Sequence, residues 1–296
     1  MPDPIEGVQL THPERELYPE AGLTKLDVAH YYRQVGGRIL PHLQSRPLTL
    51  LRCPAGRERD CFYQKHDSKG MPSAVRTISI EEKSGRGTYL YIEEVQGLIA
   101  LVQMDTLEFH PWGARTDRLE RPDRMVFDLD PGPQLGLVDV SGAALAVRGL
   151  LEELELQSFV RLSGGKGIHV VAPLLRNHDW DEVKTFARGV AERLARTEPS
   201  RYTTNPRKSE RQGRIFVDYL RNSRGATSIA SYSCRARAGG PLAWPVSWSE
   251  LEDGTARPRT VSDILDHDLP EDPWQDFFTL RQALKKRARR QLGRGA

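Results

Sequence analysis

Two aspartates one residue apart, Asp128 and Asp130, lie in the apolar run Met125-Val126-Phe127-Asp128-Leu129-Asp130, which stops at Pro131-Gly132-Pro133. An apolar approach followed by a Pro-Gly-Pro stop reads as a buried strand leaving the core for a loop. Residues i and i+2 of a strand share a face. The two carboxylates therefore stand side by side at the strand's end, with Leu129 turned into the core. Like charges that close are unfavourable unless a cation lies between them, and hard carboxylate oxygens suit Mg²⁺ or Mn²⁺. The plain alternative is a solvated strand end whose acids cap the turn.

Two further segments weigh against that alternative. In Ser163-Gly164-Gly165-Lys166-Gly167-Ile168-His169, glycines let the backbone approach a bound group closely. Lys166 adds a mobile positive charge, Ser163 a hydroxyl, and His169 lies on the strand that follows. The set suits a triphosphate. It is neither a P-loop nor a G-x-G-x-x-G dinucleotide turn, because G-x-x-x-x-G-K-[ST] is absent and a strand, not a helix, follows. On its own such a turn is a hairpin, and His169 on its own is more often a packed or solvated histidine. The second segment is Val217-Asp218-Tyr219, where a third acid again follows an apolar β-type run. Two strand-end acids plus a third on another strand are the layout of a two-metal phosphoryl-transfer site.

The surrounding elements must bring these segments together. Thr24 is an N-cap signal for a helix reaching Ile39, which Pro41 should end. Strands are expected at 47–52, at 75–80 and 88–93 as a hairpin, at 107–110, 158–162, 168–173 and 215–220. Helices are expected at 94–104, 138–156 and 179–196, and a basic helix from Trp274 onward. Strands and helices mix without strict βα alternation, which predicts an α+β (mixed α/β) class. With no repeat and no Pro/Gly/Ser-rich joint, residues 1–296 read as a single domain. Its N-terminal part runs to about 120, its core over about 121–250, and its basic C-terminal helix over 274–296.

Net charge is only +3, but basic residues crowd the Arg201–Arg214 stretch, the Arg221–Arg237 stretch and the tail; such local stripes bind phosphates. No apolar run is long enough to span a bilayer. The start, Met1-Pro2-Asp3-Pro4, has no signal-peptide pattern, so a cytoplasmic location is expected. Cys53, Cys61 and Cys234 show no CxxC spacing, which argues against a disulfide framework and against a structural zinc site.

Taken in order, Asp-Leu-Asp-Pro-Gly, Ser-Gly-Gly-Lys-Gly-x-His and Phe-Val-Asp-Tyr resemble the polymerase domain of bacterial DNA ligase D, a member of the archaeo-eukaryotic primase superfamily. The resemblance runs from Leu10 to Trp248. It implies a primase-polymerase fold with central mixed or antiparallel sheets flanked by helices. It also implies a template-directed nucleotidyltransferase that adds nucleotides, NTP more readily than dNTP, to DNA 3′ ends at gaps and breaks in non-homologous end joining. Its cofactors would be two Mn²⁺ or Mg²⁺ ions.

Position by position, the resemblance makes Asp128, Asp130 and Asp218 the catalytic, metal-binding acids. Ser163, Lys166 and His169 match residues that hold the nucleotide's phosphates, and His110, in Phe109-His110-Pro111-Trp112, matches a histidine near its sugar. Arg221, Arg235 and Arg237 match basic residues lining the nucleotide site. Lys25 and Arg52 match the grip on a downstream 5′-phosphate; His12 and Arg15 stand where relatives often have Asn and Lys. Phe62 and Tyr63 match paired aromatics that stack on bases, a sequence-tolerant platform. Arg207–Arg214 matches a loop contacting the primer terminus, with Arg211 its agent, and the Glu81–Gly87 tip matches a loop that pairs broken ends. The implied partners are gapped or broken DNA bearing a 5′-phosphate, ligase and phosphoesterase modules of the same polypeptide or complex, and Ku, at the bacterial nucleoid and not at a membrane.

Overall fold

The structure, a computed structural model, describes residues 3–82 and 85–293. They form two compact units. The first is built from 1–117, 227–244 and 258–271, the second from 118–226, 245–257 and 272–296. The class is α+β, as expected from the sequence.

In the first unit, β1 (Glu16–Tyr18) and β2 (Leu23–Thr24) form a small antiparallel pair leading into α1 (Lys25–Gln34). Thr24 caps α1 in a capping box with Asp27, satisfying two otherwise orphaned backbone donors. The helix expected to reach Ile39 breaks instead at Val35, where the backbone leaves helical geometry. A second helix, α2 (Gly36–Leu43), then restarts and contains Pro41 rather than ending at it. Two consecutive glycines, Gly36 and Gly37, weaken the join. β3 (Leu48–Arg52), β4 (Phe62–Gln64), β5 (Arg76–Glu82) and β6 (Gly85–Tyr91) form a sheet in the order β4-β3-β6-β5. α3 (Val95–Gln103) follows, and β7 (Thr106–Pro111) then returns to pair with β3. Lys83 and Ser84, at the tip expected to pair broken ends, lie outside the described residues.

Cys53 and Cys61 are joined by a disulfide, against the expectation of three thiols. The reason is register: Arg52 pairs with Phe62, so the next residues outward on β3 and β4 face each other, with Cα atoms 4.3 Å apart. The spacing of eight residues has no motif value by itself, and only the hairpin makes it meaningful.

The second unit carries β8 (Arg124–Pro131), α4 (Leu137–Glu153), β9 (Phe159–Leu162), β10 (Ile168–Pro173), α5 (Trp180–Thr197), β11 (Tyr202–Thr203), β12 (Ile215–Asp218), all but the first residue of β13 (Trp244–Val246), and α6 (Trp248–Glu252). α7 (Val261–Leu265) belongs to the first unit, and α8 (Lys286–Gly293) to the second. The six-stranded sheet runs β11-β12-β8-β10-β9-β13, with β8 central and antiparallel to both neighbours. α4 buries Val140, Ala144, Val147 and Leu151, and α5 buries Val183, Phe186, Val190 and Leu194. These are single helical stripes, each large apolar side chain contributing about 1.5–3 kcal/mol of burial. Where a basic helix from Trp274 was expected, helix begins only at Lys286. Trp274 and Phe277 stack on each other and pack on Val126, Val171 and Phe159. Gln282 bonds the carbonyls of Gln157 and Pro173. These contacts hold 274–285 as turns against the sheet. Among the described residues no helix is long and apolar enough to cross a membrane.

Candidate active site

The register of the second sheet sets four charged or polar side chains in one row. Asp218 of β12 lies opposite Asp128 of β8, Asp128 opposite His169 of β10, and His169 opposite Arg161 of β9. Asp130 stands one step along β8 on the same face. Leu129 between them is fully buried, as the alternation predicted. The three acids of the sequence therefore do meet.

Arg161 was not singled out from the sequence. Its Nη2 lies 3.0 Å from His169 Nδ1. A guanidinium can only donate, so Nδ1 accepts and the ring proton sits on Nε2, which donates to Asp128 Oδ1 at 3.1 Å. Burial, reinforced by the charges of Arg161 and Arg221, lowers the His169 pKa despite Asp128 beside it. The ring is held neutral, with both nitrogens engaged. The guanidinium of Arg161 lies 5.7 Å from the Trp274 ring centroid.

Arg221 follows β12 and bridges two acids, with Nη2 at 3.1 Å from Asp128 Oδ2 and Nε at 3.3 Å from Asp218 Oδ2. Its neighbour Asn222 fixes the turn by pairing both the N–H and the C=O of Val126, each at 2.8 Å. Asn222 thus continues the sheet by side chain where β12 has ended. Arg211 reaches Asp130 Oδ2 at 3.4 Å and lies 4.2 Å from the Phe216 ring centroid.

The carboxyls respond differently. Burial raises Asp128, but His169 and Arg221 outweigh it and hold the group far below the usual carboxylate range. Burial and the charge of Asp128 push Asp130 up to about 6. Burial also raises Asp218, against the pull of Arg221. The acids are packed closely enough that they do not ionise independently.

Two glycines permit the convergence. A Cβ on Gly167 would lie 2.8 Å from the Leu129 carbonyl oxygen and 3.5 Å from Asp130 Oδ1, so the β9–β10 turn bearing Ser163 and Lys166 presses against the acid strand. Lys166 is exposed at its tip, while Ser163 is buried. A Cβ on Gly132 would lie 2.0 Å from the Arg211 carbonyl oxygen. The Pro-Gly-Pro turn therefore seats the loop that delivers Arg211.

Among the described residues no group of three or more His, Cys, Asp or Glu side chains forms a ready-made metal site. The donor chemistry nonetheless fits hard divalent ions: three clustered carboxylates whose mutual repulsion is relieved by cationic groups, Arg221 above all.

In the first unit, His110 lies on β7 with Nε2 at 2.8 Å from Glu108 Oε2, and Tyr63 packs edge-on against its ring at 5.9 Å. Arg235 Nε reaches Glu108 Oε1 at 3.1 Å, and Arg237 is exposed. Phe62 and Tyr63 are 46% and 65% exposed, so neither is core. The Arg52 guanidinium lies 5.4 Å from the Phe62 ring centroid.

Three of the expected phosphate-gripping residues converge on the 103–105 turn. Lys25 Nζ lies 2.6 Å from Asp105 Oδ1 and 3.1 Å from the Gln103 carbonyl. Arg15 Nη1 reaches Asp105 Oδ2 at 3.2 Å, and Arg52 Nε the Met104 carbonyl at 2.8 Å. Lys25 is buried. Exposed His12 accepts from the Arg15 N–H through its backbone carbonyl. Asp105 and Glu108, like Arg161 and Asn222, carried no sequence signal, because each acts through a partner distant in the chain.

A family model for the primase-polymerase domain of LigD matches residues 24–274. The chain is 40% identical over 98% of its length to the multifunctional non-homologous end joining protein LigD of Pseudomonas aeruginosa, covering 35% of that protein. It is 35% identical to the protein of the same name from Mycolicibacterium smegmatis, over 88% of this chain and 34% of that one. The chain thus spans about a third of the length of these relatives. The solved polymerase domain of Mycobacterium tuberculosis ligase D, in complex with DNA, superposes with a TM-score of 0.83 at 33% identity, over 88% of this chain and 93% of that one. The row of Asp218, Asp128 and His169 therefore sits in a chain that belongs to the LigD primase-polymerase domain family of nucleotidyltransferases.

Proposed function

We propose that the chain extends DNA 3′ ends at gaps and double-strand breaks, templated by the opposite strand, with ribonucleotides preferred to deoxyribonucleotides, as part of non-homologous end joining. The observation that carries this is the meeting of Asp128, Asp130 and Asp218 on one sheet face, against the Ser163–His169 turn. Clustered carboxylates repel phosphate and serve no purpose in pure DNA binding.

Asp128, Asp130 and Asp218 are the residues that would hold two Mn²⁺ or Mg²⁺ ions. When bound, such ions would supply Lewis-acid activation for a 3′-hydroxyl attacking the α-phosphate in line and charge stabilisation for the leaving pyrophosphate. The protein's own groups do the rest. Arg221 neutralises Asp128 and Asp218 and lines the nucleotide site as a cation for phosphate. Neutral His169, fixed by Arg161, orients Asp128. Lys166 and Ser163 hold the triphosphate, and Arg211 contacts the primer end.

His110, Arg235 and Arg237 bind the nucleotide, Phe62 and Tyr63 stack on bases, and His12, Arg15, Lys25 and Arg52 grip the downstream 5′-phosphate. The relatives' greater length supports ligase and phosphoesterase modules as partners in the same polypeptide or complex. Ku is a further partner, and the cytoplasmic nucleoid is the place of action.

The test is extension of a labelled gapped duplex, with and without a 5′-phosphate, comparing ATP with dATP and Mn²⁺ with Mg²⁺. Addition to the 3′ end, greater with ATP and with the 5′-phosphate, is expected. A chain that binds the duplex and extends nothing would be an end-binding module for a ligase instead.

A further inference from the structure

β12 runs alongside β8 residue for residue, from Ile215 opposite Pro131 to Asp218 opposite Asp128. Two residues further, a continued strand would set residue 220 opposite Val126. The chain instead leaves the sheet in a 3₁₀ turn at Leu220–Asn222, and the Asn222 carboxamide takes the vacated place on β8. Its Oδ1 accepts from the Val126 N–H and its Nδ2 donates to the Val126 carbonyl, both at 2.8 Å. Nδ2 also donates to the Tyr219 carbonyl at 2.9 Å. The side chain is buried, and these bonds satisfy the polar groups that burial would otherwise strand.

The exit decides where the residues after Asp218 point. Along a strand, residues three apart face opposite sides, so a continued β12 would turn Arg221 away from the acids. A 3₁₀ turn has three residues per turn and brings residues three apart back to one side. Arg221 accordingly returns over Asp218, with Nε at 3.3 Å from Asp218 Oδ2 and 3.1 Å from Asp128 Oδ2. The Leu220 N–H donates to Asp218 Oδ1 at 2.7 Å, so the same turn also aims that carboxylate.

We infer that Asn222 is a positioning residue: by replacing the next strand residue on β8, it holds the turn that sets Arg221 and the Asp218 carboxylate onto Asp128 for divalent-ion and triphosphate binding. The inference rests on the nucleotidyltransferase reading. A fold alone does not need the arrangement, since one more pair of strand residues would satisfy Val126 through the backbone, as most buried N–H and C=O groups are satisfied. What the side-chain amide adds is an early exit from the sheet that keeps its last hydrogen bonds. Asn222 itself touches none of the acids; it acts through the turn.

The same unit supplies a control. Gln282 makes the same kind of set, its Oε1 accepting from the Gln157 N–H at 2.9 Å and its Nε2 donating to the Gln157 and Pro173 carbonyls, each at 2.8 Å, but it holds the 274–285 segment and not the acid-bearing turn. The experiment compares Asn222→Ala, Asn222→Gln and Gln282→Ala with the parent, each at the same interval below its own Tm. One readout is calorimetric binding of Mn²⁺ alone; the other is KM for ATP on the gapped duplex. Tm should fall in both alanine variants. In Asn222→Ala, Kd for Mn²⁺ and KM for ATP should each rise roughly tenfold to a hundredfold, as for other partners that orient a metal-binding side chain. Gln282→Ala should keep the parental values of both. Asn222→Gln retains the amide but sets it one methylene further out, so it should regain Tm over Asn222→Ala while Kd and KM stay raised.

A loss confined to Tm in Asn222→Ala overturns the inference, and so does an equal rise of Kd and KM in Gln282→Ala, which would trace the effect to general loosening. If Asn222→Ala does not fold, parental Kd and KM in Asn222→Gln overturn it. A parent that binds no Mn²⁺ and extends nothing would bring down the nucleotidyltransferase reading and this inference with it; where the parent does both, the variants judge Asn222 alone.

Discussion

Arg161 donates to Nδ1 of His169 across β9 and β10, and that one hydrogen bond decides which nitrogen faces Asp128. Replacing Arg161 with Met keeps bulk but frees the ring to adopt the other tautomer. Nucleotide addition should fall roughly tenfold to a hundredfold, as for other residues that orient a reacting side chain through a partner. Two-dimensional ¹⁵N NMR of the imidazole checks the cause: the parent should show the Nε2–H form of His169, and the variant a mixture. A variant that retains the Nε2–H form and full activity would show that Arg161 serves packing against Trp274 alone.

Asp128 is the most fully partnered of the three acids, taking a hydrogen bond from His169 and an ion pair from Arg221. Asp128→Ala should abolish extension while the gapped duplex still binds, measured by fluorescence anisotropy. Binding should still weaken steeply with salt, because it runs through Arg and Lys contacts to phosphate. Extension surviving in this variant would remove the carboxylates from the chemistry.

Gly167→Ala tests the convergence itself. The added methyl would meet the Leu129 carbonyl oxygen at 2.8 Å, and overpacking of that kind costs about 1–3 kcal/mol. Tm should drop by on the order of several degrees. Activity should drop further than stability, because the turn bearing Lys166 is pushed off Asp130. A variant with parental Tm and KM would mean that the turn is looser than its contacts indicate.

Lys25 and Arg52 differ as probes of the 5′-phosphate grip. Lys25 is buried on Asp105, so Lys25→Ala leaves that carboxylate with Arg15 as its remaining cation and costs stability as well. Arg52→Ala removes a half-buried cation held by a backbone carbonyl. The quantity to compare is the ratio of extension on phosphorylated and unphosphorylated gaps, which should fall roughly tenfold in either variant. An unchanged ratio in both would move the grip elsewhere.

Cys234 is buried, and its thiol is pushed up to about 12, chiefly by burial, so iodoacetamide at mild alkaline pH should not label it in the native protein. Reduction should expose the pair at 53 and 61, with partly exposed Cys61 reacting before Cys53. Labelling read by mass spectrometry after proteolysis would show the opposite order if the hairpin opens on reduction.

What could be read from the sequence was whatever depends on neighbours in the chain. Period-two alternation placed Asp128 and Asp130 on one face, and apolar stripes located α4 and α5 to within a few residues. Thr24 announced α1 as its N-cap. What escaped depends on register or on distant partners. Arg161 became relevant only because β9 pairs with β10 one residue for one, and Asn222 only because it reaches back to Val126 across 96 positions. The disulfide escaped because the 53–61 spacing gains meaning only from a hairpin. The start of the final helix escaped because Trp274 and Phe277, which fit a helical pattern, are used as a flat aromatic cover.

The chain's passage back and forth between the two units has a consequence for synthesis. In the first unit, Tyr31 Oη donates to the Tyr232 carbonyl and the Cys234 N–H donates to Tyr32 Oη, pairings 201 and 202 residues apart. That core cannot close when only residues 1–117 have left the ribosome. It must wait for 227–244 and then 258–271, while most of the second unit emerges as one unbroken stretch, 118–226. The acid-bearing sheet thus has its central strands available before the first unit can be completed. The 1–117 segment therefore passes through translation with apolar surface uncovered, which makes it more dependent on chaperones, and more exposed to proteases when elongation stalls, than 118–226.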